Sequence, residues 1–256
     1  MIIEYHRPNT IEETISLLSR KDPRTVVLGG GLYLNEKEEG PIAVVDIQNL
    51  GLDTIEKKGK NHLLGAGLKL QNMVDDEDLP SALISSIKHQ ETYNRRQAAT
   101  LAGTVITANG RSPIGAVLLS MDAELELVGN KNQTEQIRLG DFFPLREETL
   151  VGKLVTRITI PSQIQTAYHY AARSPADQPM IAAAVTQWPS GRTRVVLAGY
   201  GTQPILVLDG PDGEGAGPAA RDAYSGADDQ WATAEYRADT GAVLVLRCLN
   251  QITGNK

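Results

Sequence analysis

The sequence predicts an α+β protein in two parts: an α/β domain over residues 1–162, then a smaller antiparallel α+β domain over residues 163–256. Three observations carry this expectation. Up to Pro161, short β-branched runs alternate with helix-period segments, the order of an α/β layer. Beyond Pro161, apolar strands follow one another directly, and Pro189-Ser190-Gly191 joins two of them as a tight turn. A helix-period stretch over residues 231–250 then closes the chain.

In chain order, Thr10 with Glu13 three residues later forms a capping box. Ile11, Ile15 and Leu18 follow at helical spacing, and Pro23 stops that helix. Thr25–Leu28 reads as a short strand that runs into Gly29-Gly30-Gly31. Ala43–Ile47 and His62–Leu68 read as further strands. Pro80–His89 reads as a helix with Leu83, Ile84 and Ile87 on one face. Arg95–Arg111 has no clean period and is rich in small and hydroxyl residues, so it reads as an ordered loop with a task. Ser112-Pro113 opens the next helix as N-cap and N1. Glu124–Leu127 and Leu154–Ile160 alternate as strands. Tyr168–Ala172, Ile181–Trp188, Arg194–Gly199 and Ile205–Leu208 follow as four more. Asp209–Gly217 reads as a solvent loop or linker. Trp231–Asn250 reads as a long helix, with Gly241 marking its weakest point.

Composition narrows the function. The 256 residues carry 25 Lys+Arg against 31 Asp+Glu, a net charge of -6, which argues against a nucleic-acid partner. A single cysteine, Cys248, excludes an intramolecular disulfide and an iron–sulfur cluster held by this chain alone. His6, His62, His89 and His169 are scattered, so no metal site is expected. The N-terminus lacks a basic region followed by an apolar stretch, and no apolar run approaches the ~20 residues that span a bilayer. The expectation is a cytoplasmic protein without a membrane span.

Two segments carry the chemistry. The first is Leu28, Gly29, Gly30, Gly31, Leu32, Tyr33, Leu34 and Asn35, directly after a strand. Consecutive glycines let the backbone turn tightly and point several N–H groups at one spot, a geometry that suits a pyrophosphate. The pattern is neither a Walker A nor a GxGxxG fingerprint, and glycines also mark ordinary turns. The second is Ala99-Thr100-Leu101-Ala102-Gly103-Thr104 with Thr107 and Asn109, which offers hydroxyl donors and room for close approach. Arg95, Arg96 and Arg111 flank it and supply positive potential. The bland alternative is a Thr-rich loop over the core.

In this order the two segments resemble the FAD-binding (medium) subunit of the xanthine dehydrogenase and carbon monoxide dehydrogenase family of molybdenum hydroxylases. Gly29-Gly30-Gly31 falls on that family's AGGT-type motif. Arg96 to Val105 falls on its R-N-x-A-T-I/L-G-G-N-I/L motif. Leu118–Leu127 is similar to the family's LLALDAEVEL, Asp141-Phe142-Phe143 to its DFF, Leu154–Pro161 to its LLTEIRIP strand, and Asp228–Arg237 to its SDxRASAEYR. The resemblance spans nearly the whole chain. It implies a PCMH-type FAD-binding α/β domain followed by a small C-terminal flavoprotein domain. It also implies FAD as cofactor, a molybdopterin-containing large subunit and a 2Fe–2S small subunit as partners, and electron transfer through the flavin to an external acceptor.

The sequence departs from the family pattern at several places. Leu32 and Tyr33 follow the glycines where the family carries hydroxyl or charged donors. Ala102 and Thr104 replace the first Gly and the Asn of the second motif. Pro113 stands where an Asp often binds the cofactor, leaving Ser112 as the nearest polar group, and His169 stands near a frequent Lys. Each lost hydrogen bond is worth about 0.5–1.5 kcal/mol. The competing reading is therefore a flavin-free structural or regulatory subunit with the same fold.

Overall fold

The computed structural model describes residues 1–34 and 40–254. Its elements in chain order begin with β1 (Ile2–His6), α1 (Ile11–Leu18), β2 (Thr25–Leu28), β3 (Ile42–Asp46), β4 (Ile55–Lys58) and β5 (Asn61–Gly65). Next come α2 (Leu70–Val74), α3 (Ser81–Gln90), α4 (Tyr93–Ala98), α5 (Leu101–Ile106), α6 (Pro113–Ser120), β6 (Glu124–Val128) and β7 (Thr134–Arg138). Then follow α7 (Leu139–Phe142), α8 (Arg146–Thr149), β8 (Leu154–Pro161), β9 (Gln165–Ala171) and β10 (Ile181–Gln187). The last are β11 (Thr193–Ala198), β12 (Ile205–Gly210), α9 (Ala216–Ala223) and α10 (Ala234–Thr253). The chain is thus mixed helix and sheet, with two compact units interleaved in sequence. One comprises residues 1–75, 93–107 and 124–160; the other comprises 76–92, 108–123 and 161–256.

The first unit holds a three-stranded parallel sheet of order β1-β3-β2 and a five-stranded sheet of order β4-β5-β8-β6-β7. Central β3 is buried at every position, and β2 lies at the edge. Ile11, Ile15 and Leu18 of α1 pack with Val27, Ile47, Leu50, Leu52 and Leu154, the buried stripe that the helical spacing predicts. The Thr10 cap is present: its hydroxyl accepts from Glu13 N at 3.2 Å, and Glu13 reaches back to Asn9 N rather than to the cap residue itself.

The second unit is an antiparallel sheet of order β12-β11-β10-β9 with helices on both faces. Ile181, Ala183, Val185, Val195 and Leu197 face Leu244, Val245 and Cys248 of α10. On the opposite face Ser120 of α6 meets Thr186, and His89 of α3 meets Tyr168. Burial on both faces is why β10 and β11 read as unbroken apolar runs instead of alternating. Arg237 is fully buried and donates to Met180 O at 3.0 Å, Ala232 O at 2.9 Å, Ala227 O and Asp229 Oδ1 at 2.7 Å. It thereby fixes the turn that enters α10.

Several expectations need correction. The Arg95–Arg111 stretch is not a loop: it contains α4 and α5, because Thr100 Oγ1 caps α5 by accepting from Gly103 N. The polar strands β1, β4 and β7 escape a periodicity reading because they are sheet edges with little buried surface. Asp209–Gly217 is no linker, since β12 runs to Gly210 and α9 begins at Ala216. The last helix starts at Ala234 rather than Trp231, because Asp229 Oδ1 accepts from Trp231 N and Ala232 N and holds them in a turn. It does not break at Gly241, where a side chain would meet Ile181 and Leu197 of the sheet at 3.5 and 3.6 Å.

Candidate functional site

A cavity of about 650 Å³ lies within the first unit, a volume that suits a cofactor-sized ligand. Its floor is β2 with the glycine turn that follows, Thr25 to Val27 and Gly29 to Leu34. One wall comes from Ala99, Thr100, Ala102, Gly103, Ile106 and Thr107. The opposite wall comes from Glu147 and residues 150–155, and Leu18, Arg20 and Arg24 close one end. The structure therefore brings together the two segments the sequence singles out.

The glycines act first on each other's neighbours. A Cβ at Gly30 would stand 1.9 Å from Ala98 O, and one at Gly29 would stand 2.6 Å from Thr100 Oγ1. The first turn thus packs its bare backbone against the second segment, which side chains would prevent. Gly31 adopts φ +73°, a left-handed conformation that favours glycine. The N–H groups of Gly29, Gly30 and Gly31 have no hydrogen-bond acceptor among the described residues, and all three residues line the cavity. Unsatisfied amides at a cavity floor are the donor set a phosphate needs.

The second segment behaves differently. Leu101 N donates to Leu68 O at 2.8 Å, Ala102 N to Ala66 O at 3.0 Å and Thr104 N to Thr100 O at 3.0 Å. The opening amides of α5 are consumed in holding the segment to the chain at 66–68. The hydroxyls are consumed too. Thr100 caps α5, Thr104 Oγ1 donates to Thr100 O at 2.9 Å, and Thr107 Oγ1 donates to Gly103 O at 2.8 Å. Thr104 is buried and does not line the cavity. This wall offers shape more than hydrogen bonds.

The half-buried Lys69 holds the junction of the two segments. Its Nζ donates to Ala98 O at 2.9 Å, the same oxygen that Gly30 approaches. Burial pushes the Lys69 ammonium below its usual value, and Asp46 opposes that shift. Arg95 lies over the Tyr33 ring, 5.8 Å from its centroid. Arg20, Arg24 and Lys153 give the far end of the cavity a positive character; Arg20 is paired with Glu4 at 2.9 Å and Lys153 with Glu135.

Of the expected site residues, Leu28 leads into the turn without lining the cavity, and Asn35 lies outside the described residues. Asn109, Ser112 and His169 belong to the second unit. Asn109 Oδ1 accepts from Arg111 N at 2.9 Å, Ser112 caps α6 and bonds Gln90, and His169 bonds Gln251. Sequence reasoning missed Arg20, Arg24, Val26, Val27 and residues 150–155. Only β2, a strand expected at that place, hints at Arg24, Val26 and Val27; nothing in one dimension brings Arg20 or 150–155 to the glycine turn. Among the described residues no group of three or more His, Cys, Asp or Glu could hold a metal. No helix among them is long and apolar enough to cross a membrane.

Comparison with known proteins gives the family. The family described as the FAD binding domain in molybdopterin dehydrogenase matches residues 1–163. The uncharacterized protein YgfM of Escherichia coli K12 is 27% identical over 213 residues, covering 82% of this chain and 79% of that protein. Caffeine dehydrogenase subunit beta of Pseudomonas sp. CBB1 is 24% identical over 281 residues, covering 96% and 93%. Reconstituted CO dehydrogenase from Oligotropha carboxidovorans shares the fold, with a TM-score of 0.83 at 22% identity over 99% of this chain and 98% of that one.

Proposed function

The chain belongs to the family of FAD-binding domains of molybdopterin dehydrogenases, and from that premise we propose that it is the electron-transfer subunit of a molybdopterin-dependent hydroxylase or dehydrogenase. In that reading residues 1–162 form the PCMH-type FAD-binding domain and residues 163–256 the C-terminal flavoprotein-like domain, and the family match over 1–163 supports this division. Electrons come from a 2Fe–2S small subunit and leave through FAD to an external acceptor, while a molybdopterin-containing large subunit oxidises the substrate.

The observation that carries the reading is the cavity floor with three free glycine amides. The residues present fit an FAD diphosphate: Gly29, Gly30 and Gly31 bind it through main-chain N–H groups, which compensates for the side-chain donors absent at Leu32 and Tyr33. Ala99, Ala102 and Gly103 give close approach on one wall, and Leu150, Val151, Leu154 and Val155 exclude water on the other. Bound flavin supplies the redox chemistry, exchanging electrons singly or in pairs. The chain's own part is to hold and orient it. Its single cysteine and scattered histidines leave metal chemistry to partner chains.

Purified full chain tests the reading. Absorption near ~450 nm from bound flavin is the expected result. Co-expression with candidate neighbouring subunits then yields a complex in which substrate reduces the flavin. A chain that takes up no flavin, alone or assembled, belongs instead to the structural class. Dye reduction by the isolated chain with an organic substrate refutes the electron-transfer assignment.

A further inference from the structure

We propose that the solvent face of α10 pairs with the same face of a second copy of this chain, the two helices running antiparallel about a two-fold axis at Val243.

The helix carries two stripes. Leu244, Val245, Cys248 and Ile252 of α10 are buried against the antiparallel sheet. The opposite face of such a helix is ordinarily polar. Here Tyr236, Val243 and Leu246 lie on it, 40%, 48% and 51% exposed. Scattered apolar residues on a surface need no partner. These three stand in register: with Asp239 and Asn250 they repeat at alternating steps of three and four residues, the spacing of a helix–helix seam. Beside the stripe runs a cleft of about 490 Å³, lined by Gly215, Ala216, Gly217 and Pro218 at the start of α9 and by Ala242 and Leu246 of α10. Its small residues leave room for the side chains of a facing helix.

Charge selects the occupant and its direction. Asp239 pairs with Arg221 of α9, whereas Arg247 is exposed and has no ion-pair partner among the described residues. A parallel pair of α10 helices would set Asp239 against Asp239 and Arg247 against Arg247. An antiparallel pair centred on Val243 sets residues equidistant from it at one level. Asp239 then lies level with Arg247 of the second copy, Tyr236 with Asn250 and Glu235 with Gln251. At the rise of an α-helix, like charges across the seam are about 12 Å apart along its axis, beyond the ~8 Å over which salt screens them. The face thus complements itself, as a closed two-fold interface requires. One helix and a flanking cleft bury an area at the low end of stable interfaces, about 1,200 Å² in total, so the dimer belongs to the weak, concentration-dependent class. α10 lies wholly in the second unit and contributes nothing to the cavity, so this proposal stands apart from the flavin reading.

Sedimentation velocity on the purified full chain across the micromolar range tests it, with flavin content and thermal unfolding measured alongside. The expected result is a reversible monomer–dimer equilibrium. Val243→Asp sets two carboxylates together on the axis and abolishes the dimer, with melting and flavin content as in the parent. Arg247→Glu and Asp239→Lys each weaken self-association roughly tenfold, because every dimer holds the pair twice. An equimolar mixture of these two variants regains the dimer, since each chain then meets its opposite charge at both levels. A chain that stays monomeric, or a dimer that tolerates Val243→Asp or is not restored by the mixture, overturns the pairing and leaves the flavin reading standing. A monomeric chain whose Val243→Asp variant no longer joins co-expressed neighbouring subunits also overturns it, and gives the face to one of those subunits.

Discussion

Replacing Gly30 with alanine tests whether the glycine turn is built for the ligand or for the segment behind it. The added Cβ would stand 1.9 Å from Ala98 O, about 1.4 Å short of the ~3.3 Å at which a carbon meets an oxygen. The Ala98 side cannot yield cheaply. Ala98 O is held by Lys69 Nζ at 2.9 Å, Ala99 N by Arg95 O at 2.8 Å, and Ala99 O by Leu70 N at 3.0 Å. Overpacking in yielding cores costs about 1–3 kcal/mol, and a backbone pinned in this way places the case near the upper end. Gly31→Ala meets only Leu28 Cδ1 at 3.3 Å and bears mainly its left-handed backbone, about 1–2 kcal/mol. Urea unfolding of both variants, with flavin content measured alongside, ranks Gly30→Ala as the more damaged by at least ~1 kcal/mol. A Gly30→Ala protein as stable as the parent but without flavin would refute the packing argument and return the glycine to a purely ligand-facing role.

Three further outcomes follow from the structure. Gly29→Ala clashes with Thr100 Oγ1 at 2.6 Å, so Thr100→Ala in the same chain relieves it, and the double variant unfolds at least ~0.5 kcal/mol later than the two single losses sum to; strict additivity would contradict this. Burial holds the His89 imidazole below its usual 6.5, with Nε2 donating to Asp177 O at 3.0 Å and Nδ1 accepting from Tyr168. The unfolded chain therefore binds the proton first, so this stabilisation is full above about pH 6.5 and declines as pH falls below it. Melting temperatures from pH 8 to 5 fall less in His89→Gln, and an equal fall in both proteins would remove His89 from the account. Arg237→Ala empties the space of a fully buried guanidinium and removes its hydrogen bonds to Met180 O, Ala227 O, Ala232 O and Asp229 Oδ1, and costs about 2–5 kcal/mol in urea unfolding, with Arg237→Lys intermediate; a loss under ~1 kcal/mol would show the cluster to be dispensable.

Local rules made much of this molecule legible. Thr10 and Ser112 cap the helices their side chains announce, and Ile181–Gln187 and Thr193–Ala198 pair through the turn that Pro189-Ser190-Gly191 suggests. The two site segments were legible as well, and they meet in one cavity. What they do there was not. Thr100, Thr104 and Thr107 look like ligand donors in sequence, yet each hydroxyl closes a helical turn, because a hydroxyl near its own backbone satisfies that backbone first. Residues 150–155 carry no motif, and their place on the cavity wall depends on tertiary packing, which no short window contains. Strands such as Thr134–Arg138 bury almost nothing and owe their state to a neighbouring strand.

The interleaving of the two units bears on how the chain is made and how it can be cut. Helices α3 and α6 leave the ribosome well before β9 to β11, the strands their apolar faces cover. At roughly 5–20 residues per second, Leu83 and Ile87 wait several seconds or more for that sheet. During that interval the nascent chain carries two sticky helices with nothing to cover them. The same holds permanently for a fragment ending at residue 162, which contains residues 76–92 and 108–123 but not the strands they belong with. A truncated cofactor domain would therefore invite aggregation or chaperone capture, and chimeras with relatives should exchange the whole chain or graft both helices together with the C-terminal sheet.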